Sequence, residues 1–238
     1  MNILKFHSED AWVDGIASLW RDRLRNNPRL RMCLPSGHTP NEAFAAMGRS
    51  VKSGLVSFRE AEIFCLDEFG GLPRNDQGRC VNMLRHYLLQ HIDLPEKNFH
   101  WIGIDAPDIE KTCREYEHAI GAGFDLTLLG LGLNGHLGMN EPGSSPENGV
   151  RRVELASTTV ASSAKYLAHA NLPTWGVAVG LKQLVGSKEV WLLVNGPAKA
   201  EIVERTVKGA IGEDVPATLL RKHPNSFLMV DSEAGKLI

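Results

Sequence analysis

No apolar run in this chain approaches the eighteen or more residues of a membrane-spanning helix. The opening residues, Met1 to Asp10, carry no apolar signal segment. Together these absences exclude a membrane partner and lead to an expected cytoplasmic location. An excess of one charge is also missing. A formal net charge of −2 at pH 7 offers no general attraction to nucleic acid, so no nucleic-acid partner is expected and any anion must be held by local donors. Cysteine is sparse: the four residues at 33, 65, 80 and 113 form neither a C-x-x-C pair nor zinc-finger spacing. Cys33 and Cys65 fall inside apolar strand-like runs, which points to buried reduced thiols. Repeats, low-complexity tracts and Gly/Ser/Pro linkers are absent too, so residues 1–238 are read as a single domain. With 43% hydrophobic residues, a chain of this length can bury a sizeable core.

What is present alternates. Short apolar runs bounded by turn residues fall at Leu30 to Leu34, Glu62 to Leu66, Phe99 to Ile104, Phe124 to Leu129, Trp175 to Val179, Val190 to Val194 and Phe227 to Val230. Between them, helical spacing of apolar residues appears at Asp10 to Arg25, Asn41 to Lys52, Val81 to Gln90, Ile109 to Ile120 and Ala198 to Lys208. This β/α alternation predicts an α/β fold, a mostly parallel sheet with helices on both faces. The segment 143–170 is the least regular and is read as a cover over the active site.

Ligands bind at the carboxyl ends of strands in such sheets, and four strand ends here carry chemistry. After Phe124 to Leu129 comes Gly130-Leu131-Gly132-Leu133-Asn134-Gly135-His136, with Glu141 five residues beyond the histidine. Glycines allow close backbone approach, His136 can pass protons near neutral pH, and Glu141 can orient it. The bland alternative is a Gly-rich turn whose histidine caps a helix.

After the run at Leu30 to Leu34 stands Ser36-Gly37-His38-Thr39-Pro40-Asn41-Glu42. Thr39 suits an N-cap, Pro40 the first helical position and Glu42 the reciprocal capping-box position. The free amides of such a helix start, with the Ser36 and Thr39 hydroxyls, suit a phosphate. Leu66-Asp67-Glu68-Phe69 places two acids at another strand end, and one of them, desolvated, could take a carbon-bound proton beside a carbonyl or imine. Acids that merely cap a turn are the competing reading. In Gly196-Pro197-Ala198-Lys199-Ala200, Lys199 stands in the first turn of a helix and suits a phosphate as a mobile point charge.

With these four ordered blocks, and with Asn140-Glu141-Pro142-Gly143-Ser144, the chain resembles the glucosamine-6-phosphate deaminase family, also called glucosamine/galactosamine-6-phosphate isomerases, over almost its whole length. The wider group includes the 6-phosphogluconolactonases, which continue differently after their Gly-His pair. The resemblance implies a Rossmann-like α/β domain and an amino-sugar phosphate isomerase/deaminase acting on a small-molecule sugar phosphate. It also implies that Asp67 moves a proton between sugar carbons, that His136 supported by Glu141 opens the sugar ring, and that no metal or organic cofactor is needed. Phosphate contacts are implied for Ser36, Gly37, His38, Thr39, Lys199 and Lys165, the last standing where an arginine is usual. Whether the chain forms a homo-oligomer is left open.

Departures from the pattern bear on the substrate. Asn134 stands where the family commonly has an aspartate flanking the histidine. An amide can fix the ring's orientation but cannot stabilise an imidazolium by charge. The Asn134-Gly135-His136 variant resembles the galactosamine-6-phosphate-directed members, which tilts the substrate expectation toward that epimer. Two other functions stay open at the level of sequence: a sugar-phosphate lactonase, and a sugar-phosphate sensor that has lost turnover.

Overall fold

The computed structural model describes residues 1–167 and 172–238. Strand β1 (Asn2–Lys5) leads into helix α1 (Glu9–Asn26), whose first turn is capped by Ser8 accepting from the Ala11 amide. Next come β2 (Arg31–Leu34), α2 (Asn41–Lys52), β3 (Glu62–Cys65), β4 (Asp67–Phe69), α3 (Cys80–Tyr87), β5 (Phe99–His100) and α4 (Ile109–Ile120). The order continues through β6 (Leu126–Gly130), β7 (Arg151–Glu154), α5 (Ser157–Ser163), β8 (Trp175–Ala178), α6 (Leu181–Val185), β9 (Glu189–Val194), α7 (Ala200–Lys208) and β10 (Ser226–Val230).

Among the described residues seven strands form the main sheet in the order β1-β10-β9-β6-β2-β3-β5, with every neighbouring pair parallel. From β2 the chain works outward through β3 and β5, whereas from β6 it works the opposite way through β9 and β10. This reversal opens a crevice at the carboxyl ends of β2 and β6. Both sheet faces are covered, which explains why the strands read as nearly continuous apolar runs. Met32, Leu34, Trp191, Leu193 and Met229 belong to one core with Trp12 and Trp20 of α1 and Phe44 of α2. Their neighbours Cys33, Leu192 and Leu228 belong to the other, with Tyr116 of α4 and Ile202 of α7. Trp20 is fully buried between Phe44 and Phe58, and truncating such a side chain costs about 3–5 kcal/mol. A bidentate pair between Arg23 and Glu189, at 2.8 and 2.9 Å, ties α1 to the start of β9.

A second sheet, antiparallel and ordered β4-β8-β7, was not expected. The run at Trp175 to Val179 supplies β8 to this small sheet rather than a strand to the main one. The acids at 67 and 68, expected at the end of a main-sheet strand, lie instead in β4 of this small sheet. The switch occurs at Leu66, whose amide donates to Leu34 of the main sheet while its carbonyl accepts from Val179. An apolar run reads alike in either setting, because periodicity reports burial and not the partner strand.

Smaller differences follow the same logic. The run at Phe99 to Ile104 pairs only over β5, the helix expected to reach Gln90 ends at Tyr87 before a 3-10 turn at Leu89–His91, and β1 was not anticipated. The segment 143–170 is not irregular throughout, since it contains β7 and α5; its residues 168–170 lie outside the described residues. Among the described residues no helix is long and apolar enough to cross a membrane.

Candidate active site

The crevice is a cleft of about 290 Å³, walled by the loops after β2 and β6, by Asp67 of β4, by the turn before α7 and by α5. That volume suits a small ligand. Of the ten candidate residues, nine line it: Ser36, Gly37, His38 and Thr39, then Asp67, Asn134 and His136, and finally Lys165 and Lys199. Glu141 is not among the lining residues and reaches the cleft through His136.

At one end the loop after β2 turns through Gly37, whose φ of 102° is a region that side chains rarely adopt. A Cβ there would stand 3.0 Å from the Tyr166 hydroxyl. His38 meets Tyr166 edge-on at 4.8 Å, and Lys165 holds its ammonium 4.9 Å above the same ring. Lys199 donates to the Leu131 carbonyl at 2.5 Å. Burial, aided by the charge of Lys165, lowers Lys199 to about 8. His38 is lowered as well, by burial first and then by Lys165. Lys165 and Lys199, two cations whose charges disfavour one another, form a site for an anion.

The expected capping box is corrected. Helix α2 begins at Asn41 with Pro40 in the N-cap position and no side-chain cap, so Thr39 and Glu42 do not perform those roles. The reason is that residues 36–39 stay in the loop: the Asn41 amide closes on the His38 carbonyl, and Thr39 lines the cleft instead of turning back onto the helix. Lys199 likewise ends a 3-10 turn, Pro197–Lys199, just before α7.

At the other end the two adjacent acids part company. Asp67 lines the cleft at only 7% exposure, and burial pushes it up to about 6 against a Cys80 hydrogen bond and the His136 charge. Glu68, on the opposite side of the strand, is structural. It accepts from the amides of Phe69, Cys80 and Val81 at 2.9 to 3.1 Å and stands 3.7 Å from Arg79. Burial nonetheless raises it to about 7.

The imidazole of His136 packs over Gly132, where a Cβ would sit 2.4 Å from the ring. Its Nδ1 lies 3.4 Å from Glu141 Oε2 and 3.1 Å from Thr159 Oγ1. Burial alone would raise Glu141, but hydrogen bonds from His136, Thr159 and Asn134 and the His136 charge hold it down at about 2. The hydrogen bonds of the Asn134 side chain go to Glu141, Thr158 and the His136 backbone amide, not to the ring. Its Nδ2 donates to Glu141 Oε2 at 2.8 Å and its Oδ1 accepts from the His136 amide at 3.1 Å, so it orients the histidine through the carboxylate and the backbone. Asn140 anchors the loop by donating to Leu137 and Val179 and accepting from Arg151.

Sequence reasoning missed the α5 wall: Thr158, Thr159, Ser162 and Ser163, followed by Tyr166. A signal existed, because Thr158 with Ser162, and Thr159 with Ser163, are four residues apart and share a helix face. Cys80 and Met83 of α3 also line the cleft without having been singled out for it. Among the described residues no group of three or more His, Cys, Asp or Glu side chains could hold a metal ion. The arrangement offers an anion cradle at one end and, at the other, a buried carboxyl with a raised proton affinity facing a carboxylate-backed imidazole. Such a set can move protons on a phosphorylated substrate.

Comparison with known proteins gives concordant matches. A family model described as glucosamine-6-phosphate isomerases/6-phosphogluconolactonase matches residues 7–229. A glucosamine-6-phosphate deaminase of Shouchella clausii is 34% identical over 100% of this chain and 97% of its own. One of Bacillus pumilus is 30% identical, with 100% of both chains covered. A solved structure, of a monomeric glucosamine-6-phosphate deaminase described as a missing link of the NagB superfamily, superposes with a TM-score of 0.96 at 29% identity over 100% of each chain. A 6-phosphogluconolactonase from Thermotoga maritima superposes with a TM-score of 0.76 at 20% identity over 97% of this chain and 100% of its own, a likeness of fold alone.

Proposed function

The chain belongs to the family of glucosamine-6-phosphate isomerases and 6-phosphogluconolactonases, and within it we propose that this protein is an enzyme converting a hexosamine 6-phosphate to a ketose 6-phosphate and ammonia. The observation that carries the reading is the pairing of opposites in one cleft: a buried Asp67 raised to about 6 at one end and the Ser36-to-Thr39 loop with Lys165 and Lys199 at the other.

In this reading the phosphate sits in the cationic end and fixes the sugar, with α5 and the rest of 143–167 covering it. His136, backed by Glu141, transfers the proton that opens the pyranose ring to the 2-amino aldehyde. Asp67 then takes the C2 proton, and the enolamine so formed is reprotonated at C1. Water adds to the resulting C2 imine and ammonia leaves, giving the ketose. A base of about 6 is ionised at neutral pH yet retains enough proton affinity to act on a carbon acid.

Two observations bear on the epimer. The relatives are named for glucosamine 6-phosphate, which makes that sugar the first substrate. Asn134-Gly135-His136 favours galactosamine 6-phosphate as a second reading, because it resembles the pattern of members directed to that sugar. Incubation with both hexosamine 6-phosphates and with 6-phosphogluconolactone, reading ammonia and acid release separately, tests the proposal. Ammonia from either amino sugar is the expected result. Acid from the lactone with no ammonia from the sugars would overturn it.

A further inference from the structure

Ring opening needs His136 to exchange a proton at one nitrogen while the other is held, and the structure shows what holds it. The ring packs over Gly132, and its Nδ1 has two oxygen neighbours. Glu141 Oε2 is 3.4 Å away, longer than the usual N–H···O distance of about 2.7–3.2 Å. That oxygen already accepts from Asn134 Nδ2 at 2.8 Å, and Oε1 accepts from the Ala156 amide at 3.3 Å. Thr159 Oγ1 is nearer, at 3.1 Å, and the residue is buried. Because both oxygens of Glu141 act as acceptors, a bare Nδ1 would set its lone pair against an anion. The proton of the neutral ring therefore sits on Nδ1, and Nε2 is the nitrogen left to exchange a proton with substrate.

We propose that Thr159 is a positioning residue for His136: its hydroxyl accepts from Nδ1–H and fixes the ring and its tautomer from α5, while Glu141 supplies negative charge at longer range. The inference deepens the proposed reaction and rests on the reading of His136 as the group that opens the ring.

The start of α5 is placed for this role. The amide of Ala156, the residue before the helix, donates to Glu141, Thr158 Oγ1 accepts from Asn134 Nδ2 at 3.4 Å, and Thr159 meets the ring. One short segment thus touches Glu141, Asn134 and His136 together. Thr159 is itself held at both ends: its amide donates to the Ala156 carbonyl at 2.9 Å, and its carbonyl accepts from Ser162 Oγ at 2.9 Å. A β-branched side chain on a fixed backbone has few rotamers, so the hydroxyl is aimed with little loss of freedom. Valine would keep that shape without the hydroxyl, and serine would keep the hydroxyl without the branch.

Those two variants test the assignment. For ammonia release from the cyclic hexosamine 6-phosphate, kcat of Thr159→Val should fall about 3- to 10-fold with KM changing less than about twofold, the worth of one hydrogen bond made away from the phosphate. Thr159→Ser should recover to within about twofold of the parent. In proton and nitrogen-15 NMR, the His136 Nδ1–H resonance should be visible in the parent and in Thr159→Ser, and lost to exchange with water in Thr159→Val. An unchanged kcat in Thr159→Val, or a serine variant as impaired as the valine one, overturns the inference. If Thr159→Val does not fold, as judged by circular dichroism, Thr159→Ala replaces it. A parent inactive on both hexosamine 6-phosphates would instead overturn the functional reading. In that case the NMR spectra decide: a parent ring with its proton on Nε2, or an Nδ1–H as well protected in Thr159→Val as in the parent, overturns the positioning role itself.

Discussion

Replacing Asp67 by asparagine separates what the buried base costs the fold from what it does for the reaction. Burial pushes this carboxyl from its ordinary 3.8 to about 6. A raised carboxyl destabilises the native state wherever the group would ionise more readily once unfolded, so stability falls as pH rises from about 4 through about 6. At pH 8 the whole displacement is felt, about 3 kcal/mol. At pH 5 the folded group is largely protonated and the cost is about 1.5 kcal/mol. Asp67→Asn removes the ionisation but keeps the shape. The variant should therefore gain stability over the parent by about 1.5 kcal/mol more at pH 8 than at pH 5. Changes in hydrogen bonding to the new amide act at both pH values and largely cancel from that difference, as do the titrations of Glu68 and other groups common to both proteins. Urea denaturation of both proteins at the two pH values measures it. In the same protein turnover should fall about 10²- to 10⁴-fold, the usual worth of a general base. An equal gain at both pH values, or an unchanged rate of proton exchange at sugar C2, would refute the reasoning.

Further expectations concern the rest of the cleft. Lys199→Ala should raise KM for a phosphorylated substrate about 10- to 100-fold while kcat changes less, because a charged hydrogen bond away from the reacting carbons is lost. Since Lys199 is lowered to about 8, competition by inorganic phosphate should weaken as pH rises from 7 to 9, and a pH-independent inhibition constant would place the phosphate elsewhere. Glu141→Gln should lower kcat on the cyclic sugar at least about tenfold, because it removes the anion that backs His136; an unchanged kcat would detach Glu141 from ring opening. Asn134→Asp would set a second carboxylate against Glu141 Oε2 where Asn134 Nδ2 now donates at 2.8 Å, and two such groups cannot both ionise. Its pH–rate profile should acquire a new ionisation in the acidic to neutral range on both hexosamine 6-phosphates. Profiles that superimpose on the parent's would mean that position 134 does not act through Glu141.

How much of this was legible in the chain depends on how local each determinant is. The parallel sheet was legible because both its faces are covered, so its central strands read as plain apolar runs. The ends of β2 and β6 were legible because glycine, histidine and hydroxyl residues cluster there in sequence. The second sheet was not, because β4 and β8 are 108 residues apart by their first members, Asp67 and Trp175, and no local pattern says that they pair. Residues 67 and 68 show the same limit at a finer scale. Two adjacent acids look equivalent in sequence, and only the alternation of a strand sends one into the cleft and the other onto the start of α3. The hydroxyl face of α5 was written plainly at four-residue spacing but became informative only once the helix was seen to wall the cleft.

The two carboxyls that face the reaction illustrate why composition could not assign their roles. Asp67 and Glu141 are both partly or wholly removed from water, which by itself raises each. They are driven apart by what surrounds them. Glu141 gathers donors from Asn134, Thr159 and His136, and from the Ala156 amide at 3.3 Å, so it stays ionised and serves to orient and charge-balance the histidine. For Asp67 the Cys80 thiol and the His136 charge do not outweigh burial, so it keeps a real affinity for a proton. Widely separated proton affinities in one cleft are the arrangement from which acid and base assignments follow. Exchanging their roles would need the donors moved, not the acids. The donors come from α5, from the loop after β6 and from α3, elements that only the folded sheet brings to one edge.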